Sequence, residues 1–232
     1  MGNPFQSEPD VGHETPTGAG STGQPTSSPW LIRGVEDVYY QREAQVSLWT
    51  VLGGIAVGAL LTQLSAVISQ AQAGRWSVVL YFLATALIIV LSWVQTTWGT
   101  LVLKWPISIG SALLGFSGGF AQSILSLQVT NPSGWMFALC LVALDSVLSQ
   151  VYFAKSGAWA GFSPAYAAQL RRMVWTHGAF GGVALAAGLL LARYPGRLHE
   201  ILWGLVALSM VVVALWLQDQ GMKAERAALH IP

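Results

Sequence analysis

The sequence predicts an all-α fold, a polytopic helical membrane protein of about six transmembrane helices in a compact bundle, and three observations predict it. Of 232 residues, 53% are hydrophobic and only 9% charged, with mean hydropathy +0.54, whereas a soluble domain carries roughly a quarter charged residues. Six apolar runs approach the ~20 helical residues that cross a bilayer core. Trp49, Trp76, Trp105, Trp135, Trp175 and Trp216 stand close to the ends of those runs, where an amphipathic indole sits at the headgroup level. With so few charges, six long helices have no polar face to offer water, which argues against a soluble bundle.

Residues 1–29 are rich in Gly, Pro, Ser and Thr and poor in large apolar side chains; such a segment cannot repay the entropy of ordering and is expected to be a disordered tail. It has no basic stretch followed by an apolar one, so no cleaved signal peptide is expected. Gly2 opens a myristoylation-like start, but Ser7 stands one position too late for that pattern. Residues 30–47 mix charges with Val and Tyr and predict an interfacial or juxtamembrane helix that lies on the surface or extends the first span. Residues 48–217 form the predicted six-helix transmembrane domain, with spans at about 48–69, 77–97, 107–127, 135–153, 172–192 and 199–217. Connections of a few residues predict antiparallel hairpins between most neighbouring spans. Ser163-Pro164 has the form of an N-cap followed by proline at the first helical position, starting a helix that runs into span five. Residues 218–232 are read as a short C-terminal tail.

Eleven basic and ten acidic residues give a net charge of +1, which provides no electrostatic footprint for nucleic acid. The lipid bilayer is the expected partner. Cys140 is the only cysteine, which rules out an intramolecular disulfide framework and a cysteine-built metal site. His177 and His199 fall near opposite faces, so they cannot form a bis-histidine haem site. No metal site is predicted, and the sequence identifies no cofactor. With the N-terminus inside, the inner segments hold Arg33, Arg42, Lys104, Lys155, Arg171, Arg172, Lys223 and Arg226, leaving Arg75, Arg193 and Arg197 outside. The positive-inside rule then predicts both termini in the cytoplasm, and the expected location is a plasma membrane of bacterial type.

Small residues recur at four-residue intervals. Span three carries Ser111, Gly115, Gly119 and Ser123, span one Gly54 and Gly58, and span five Gly178 and Gly182. Such stripes let helix backbones approach closely, either within one subunit or between subunits of a homo-oligomer or a larger membrane complex. Gln63 and Gln122 also fall within spans and are expected to bridge helices.

Sorting the ten acids leaves Asp145 as the only carboxylate inside a span. A charged side chain there costs roughly 2.5–3.5 kcal/mol on insertion scales, so it must face protein or water and find partners. A carboxylate so placed is a candidate proton or cation site. His177 is the other interior ionisable group; at 1.5 Å per residue the two lie roughly 12 Å and 8 Å from the same face, depths compatible with contact. Helical spacing puts Ser149 and Tyr152 on the Asp145 face, and span two supplies Ser92, Gln95 and Thr96 at a similar depth. The leading functional expectation is a transporter or channel-like protein with a proton- or cation-responsive carboxylate. The alternative is a non-catalytic membrane subunit or assembly factor docking through its glycine-rich helices, and a third is an intramembrane enzyme.

Gly115-Phe116-Ser117-Gly118 has the GxSG form of the rhomboid intramembrane serine proteases, and His177-Gly178 followed by Gly181 and Gly182 resembles their histidine helix. That resemblance implies a Ser117/His177 nucleophile–base pair and covers only these two stretches. The chain departs from the family: Ser117 is mid-way along span three instead of at the start of span four. The oxyanion-stabilising His and Asn of an earlier helix are missing, and a further span follows the histidine. The six-helix bacterial and lysosomal potassium channels are similar in span count and length, but their first-helix Arg and Phe-Ser-Asp signature is missing.

Overall fold

The computed structural model describes residues 35–101, 108–155 and 163–228. The expected tail of residues 1–29, Arg33, Lys104 and Trp105 lie outside the described residues. Among those described, the chain is helical throughout and forms no strand: α1 (Val35–Thr62), α2 (Leu64–Gln72), α3 (Ser77–Leu101), α4 (Ile109–Leu127), α5 (Pro132–Lys155), α6 (Pro164–Arg193) and α7 (Arg197–Ala228). The region is that of a polytopic helical membrane protein. α1 and α2 are one span broken at Gln63, and Arg42–Gln72 is one of five stretches long and apolar enough to cross a membrane. The others are Ser77–Thr100, Pro132–Lys155, Pro164–Arg193 and Arg197–Ala228. α4 completes the six. Its 19 residues include Gly110, Gly115, Gly118, Gly119, four serines and Gln122, which dilute its hydropathy below that of the other five.

Local chemistry explains where the helices begin and end. Ser108 caps α4 in a capping box, accepting from the Ser111 amide at 3.1 Å while its own amide donates to Ser111 Oγ at 2.9 Å. Ser163 caps α6 by accepting from the Tyr166 amide, with Pro164 in the first turn, as that pair of residues predicts. α2 ends where Gly74, at φ 83°, allows the Gly74 amide to reach Ala71 O and the Arg75 amide to reach Gln70 O, both at 2.9 Å. This is a Schellman turn, whose left-handed position favours glycine. α7 continues through Ala228, so residues 218–228, read as tail from their polarity, prolong the last helix. α1 likewise begins at Val35, and the juxtamembrane stretch extends the first span.

The six helices close into a ring in the order α1, α4, α5, α6, α7, α3 and back to α1. Consecutive hairpins account for α4 to α7. α3 and α4, though successive in sequence, touch only lightly, because α4 inserts beside α1 and leaves α3 to close the ring against α7. Outward faces are apolar: Val51 and Ile55 on α1, Ile109, Leu113, Phe116 and Phe120 on α4, and Leu141, Leu144 and Leu148 on α5 are exposed. The three or four-residue spacing of the α4 stripe matches one helix face turned to lipid.

The interior differs between the two halves of the bundle. The half toward the end of α2 and the start of α3 is packed solid around Tyr81, Trp135, Leu125, Met136, Ala184 and Ala207, all 0–1% exposed. Trp135 Nε1 donates to Thr85 Oγ1 at 2.8 Å and its ring lies 4.9 Å from that of Tyr81. This corrects the expectation for two tryptophans: Trp135 is a core residue and Trp49 turns inward against Gly115, whereas Trp76, Trp175 and Trp216 are 59–81% exposed, as headgroup anchors require. Position in sequence near a span end does not reveal which way an indole faces. Gln63 also differs from expectation, because its side chain reaches only Thr62 Oγ1 at the α1–α2 break and bridges no helices.

Candidate functional site: a cavity with a carboxylate in the helix ring

The other half of the bundle, toward the start of α1 and the end of α7, holds a partly open cavity of about 120 Å³. Every helix of the ring contributes to its wall. α5 supplies Asp145, Ser146, Ser149 and Gln150; α3 supplies Ser92, Gln95 and Thr96; α4 supplies Ser111, Gly118 and Gln122; and α6 supplies His177. Trp49 of α1, Phe153 of α5, Phe180 of α6 and Met210 of α7 contribute apolar surface. A cavity of this size holds several waters, or a molecule somewhat smaller than the benzene that fills a 150 Å³ engineered cavity.

Asp145 sits at the seam of α4 and α5. Its Oδ1 accepts a hydrogen bond from Ser117 Oγ, and its Oδ2 lies against Gly118, where a Cβ would come within 2.7 Å. Gly118 is thus small because a carboxylate occupies the space a side chain would need. No Lys or Arg among the described residues lines the cavity, so none of them is a cationic partner for the carboxylate there. His177 shares the cavity, but its Nδ1 is 3.2 Å from Ser146 Oγ instead of being bonded to Asp145. The two interior ionisable groups therefore face one space through separate serine partners.

Other polar groups of the wall bond mainly to the protein backbone or to each other. Gln122 Nε2 donates to Ser92 Oγ at 2.8 Å, bridging α4 to α3. Thr96 Oγ1 donates to the Ser92 and Trp93 carbonyls of its own helix at 2.8 and 3.1 Å, and Ser111 Oγ donates to Ser108 O at 2.8 Å. Gln150, 2% exposed, has an Oε1 without a hydrogen-bond partner. Buried amide oxygens are normally paired, so this one stands out.

Of the residues singled out from sequence, Asp145, His177, Ser149, Gln95 and Thr96 are brought to this one cavity. Tyr152 is not: its hydroxyl is 2.7 Å from Ser108 Oγ and its ring covers Gly110, at the end of the bundle below the cavity. The small-residue stripes divide. Gly115 is close to the Trp49 ring and Gly119 to Leu52, which lets α4 approach α1. Ser111 serves the capping box and Ser123 donates to the Gly119 carbonyl at 2.9 Å. Gly54, Gly58, Gly178 and Gly182 have nothing within 4 Å of a would-be Cβ and are exposed. Ser117 bonds to Asp145 and His177 to Ser146, so the serine–histidine pair implied by the rhomboid resemblance is not formed.

Sequence reasoning passed over Ser117 as a partner of Asp145, and also Gly118, Ser146 and Gln150. Ser146 and Gln150 are one and five positions from Asp145, off the face that i+4 spacing selects. Only the way α5 is clasped between α4 and α6 turns them inward.

At the opposite end of the bundle Arg75 grips Glu200 with two hydrogen bonds of 2.8 Å, Nε to Oε2 and Nη2 to Oε1. Ser77 Oγ donates to the same carboxylate at 3.0 Å, Tyr81 Oη donates to the Glu200 carbonyl at 2.9 Å, and Arg75 Nη1 also reaches Gln70 Oε1 at 2.9 Å. Hydrogen bonding to Glu200 holds the Arg75 guanidinium above its ordinary pKa, against a smaller opposing effect of burial. This clasp ties the α2–α3 turn to the start of α7.

Comparison with protein-family models, with curated proteins and with solved structures finds no match to the chain.

Proposed function

We propose that the protein is a transporter or channel-like protein that carries a proton or a cation by way of Asp145. The observation that supports this reading is the carboxylate on the wall of a cavity lined by six helices, with no cationic side chain of the described residues beside it. A carboxylate in that position is expensive to keep in a bilayer and needs a proton, a cation or water to compensate it. Ser117 steadies it with one hydrogen bond, and the remaining oxygen is free of hydrogen bonds to protein donors. The polar wall begins near the start of α4 and stops at the plug formed by Tyr81, Thr85 and Trp135. Passage then requires that plug and the Arg75–Glu200 clasp beyond it to part. On this reading both termini lie in the cytoplasm and the cavity belongs to the cytoplasmic half. Purified protein reconstituted in vesicles should conduct or exchange protons or monovalent cations, and Asp145→Asn, which can retain the Ser117 contact, should abolish that flux. Unchanged flux in a folded Asp145→Asn protein would overturn the reading.

A second reading is favoured by a different observation. Gly54 and Gly58 on α1, and Gly178 and Gly182 on α6, present small-residue faces with no atom of the described residues against them. These faces suit close approach by another transmembrane helix, from a second copy or another membrane subunit. Copurification of a stoichiometric membrane partner in mild detergent, lost on Gly54→Leu or Gly178→Leu while Asp145→Asn leaves it intact, would favour the docking role.

A further inference from the structure

From the chemistry of the cavity wall we infer that its ligand is a small organic cation, a primary ammonium carrying a short apolar body; this rests on the reading that Asp145 serves a cation. Three features of the wall converge on that class. The first is charge. Among the described lining residues Asp145 is the only acid and none is Lys or Arg, so one positive charge on a ligand compensates the site.

The second is the balance of donors and acceptors. The Thr96 and Ser111 hydroxyl hydrogens and one amide hydrogen of Gln122 are spent on protein acceptors, and Asp145 presents Oδ2 beside Gly118. The two hydroxyls are left with lone pairs to offer. Gln150 Oε1 adds an acceptor with no donor of any kind, on a side chain that is 2% exposed. The carboxylate and these acceptors suit a ligand that brings several N–H donors, and an ammonium brings three where a carboxylate or ether brings none.

The third is size and the opposite surface. Bare Mg²⁺ or Ca²⁺ needs about six oxygens within about 2.6 Å. Here the acceptors are spread over three helices around 120 Å³, and no group of three His, Cys, Asp or Glu suited to a metal occurs among the described residues. The volume instead suits a handful of non-hydrogen atoms. Trp49, Phe153, Phe180, Ile88, Leu139 and Met210 provide apolar and aromatic surface for the carbon body, and aromatic side chains add cation–π attraction where geometry allows.

The test uses the full chain in mild detergent with n-butylammonium as probe, against sodium and neutral n-butanol. Butylammonium should bind saturably by calorimetry and raise the unfolding temperature, and sodium and butanol at equal concentration should do neither. Asp145→Asn should weaken butylammonium binding by at least about tenfold, and Gln150→Leu by several-fold, as loss of hydrogen bonds to a charged group implies. Gln150→Leu leaves the carboxylate and its Ser117 contact in place, so it tests the site even where Asp145→Asn fails to fold. Equal binding of butanol, or butylammonium binding unaffected by both substitutions, overturns the ammonium site. Absence of butylammonium binding together with Asp145-dependent proton flux in vesicles also overturns it and leaves the transport reading standing. Asp145-dependent butylammonium binding without any flux upholds the site and removes the transport reading.

Discussion

At Gly118 a Cβ would fall 2.7 Å from Asp145 Oδ2, so the two positions are coupled across the α4–α5 seam. Gly118→Ala should push the carboxylate out of its seat and remove most Asp145-dependent flux, while Gly178→Ala, with open space around it, should leave flux unchanged. Gly74 is constrained differently, by backbone conformation and not by a neighbour. Its φ of 83° makes Gly74→Ala cost about 1–2 kcal/mol, to be read from reversible unfolding in mixed micelles. Asp145 and His177 were legible in the sequence because ionisable groups in apolar runs are rare enough to sort by hand. Ser117 was visible too, but as a would-be nucleophile. Its actual partner depends on the rotation of α4 about its axis, which a glycine-rich sequence with apolar residues on several sides does not specify.

Among the elements, the clasp from the α2–α3 turn to α7 gives the sharpest expectation. Arg75 is 30% exposed, so its ion pair with Glu200 is worth only about 1 kcal/mol, despite the two-pronged geometry. Its value to the fold is then small, and any larger effect on flux reports a part in gating. Arg75→Gln and Glu200→Gln should each shift the unfolding midpoint slightly and raise basal flux. The double substitution should be less than additive, because each single change already breaks the contact. At the other end of α7, Glu225 is 2% exposed and accepts from Ser163 Oγ at 2.7 Å, binding the last turn of α7 to the cap of α6. The sequence placed Glu225 in a tail, since nothing in a short polar segment reveals that the helix continues and finds a partner 62 residues earlier.

For the whole molecule, the ring and its unequal halves make a prediction about access. With Cys140 replaced by alanine, cysteines at Gln95 or Ser149 should react with a charged thiol reagent from one side of the membrane only, and a cysteine at Thr85 from neither. Labelling of Thr85→Cys from the same side would show that the packed half is not a barrier. Class and span number were legible because hydropathy and length act on each helix separately. The circular order was not, since it depends on α4 lying beside α1, through Gly115 at Trp49 and Gly119 at Leu52, and glycine spacing names no partner. The same helix bears on biogenesis. With its glycines, serines and Gln122, α4 is the one member of the ring not apolar enough to count as a span alone, and insertion machinery weighs each segment largely by its own hydrophobicity. A ribosome-bound or truncated chain ending soon after Leu127 should therefore leave α4 poorly integrated, in contrast to one that ends after α5. Commitment of the fourth segment to lipid would then occur as a pair with its successor, and protease protection of staged truncations would time it.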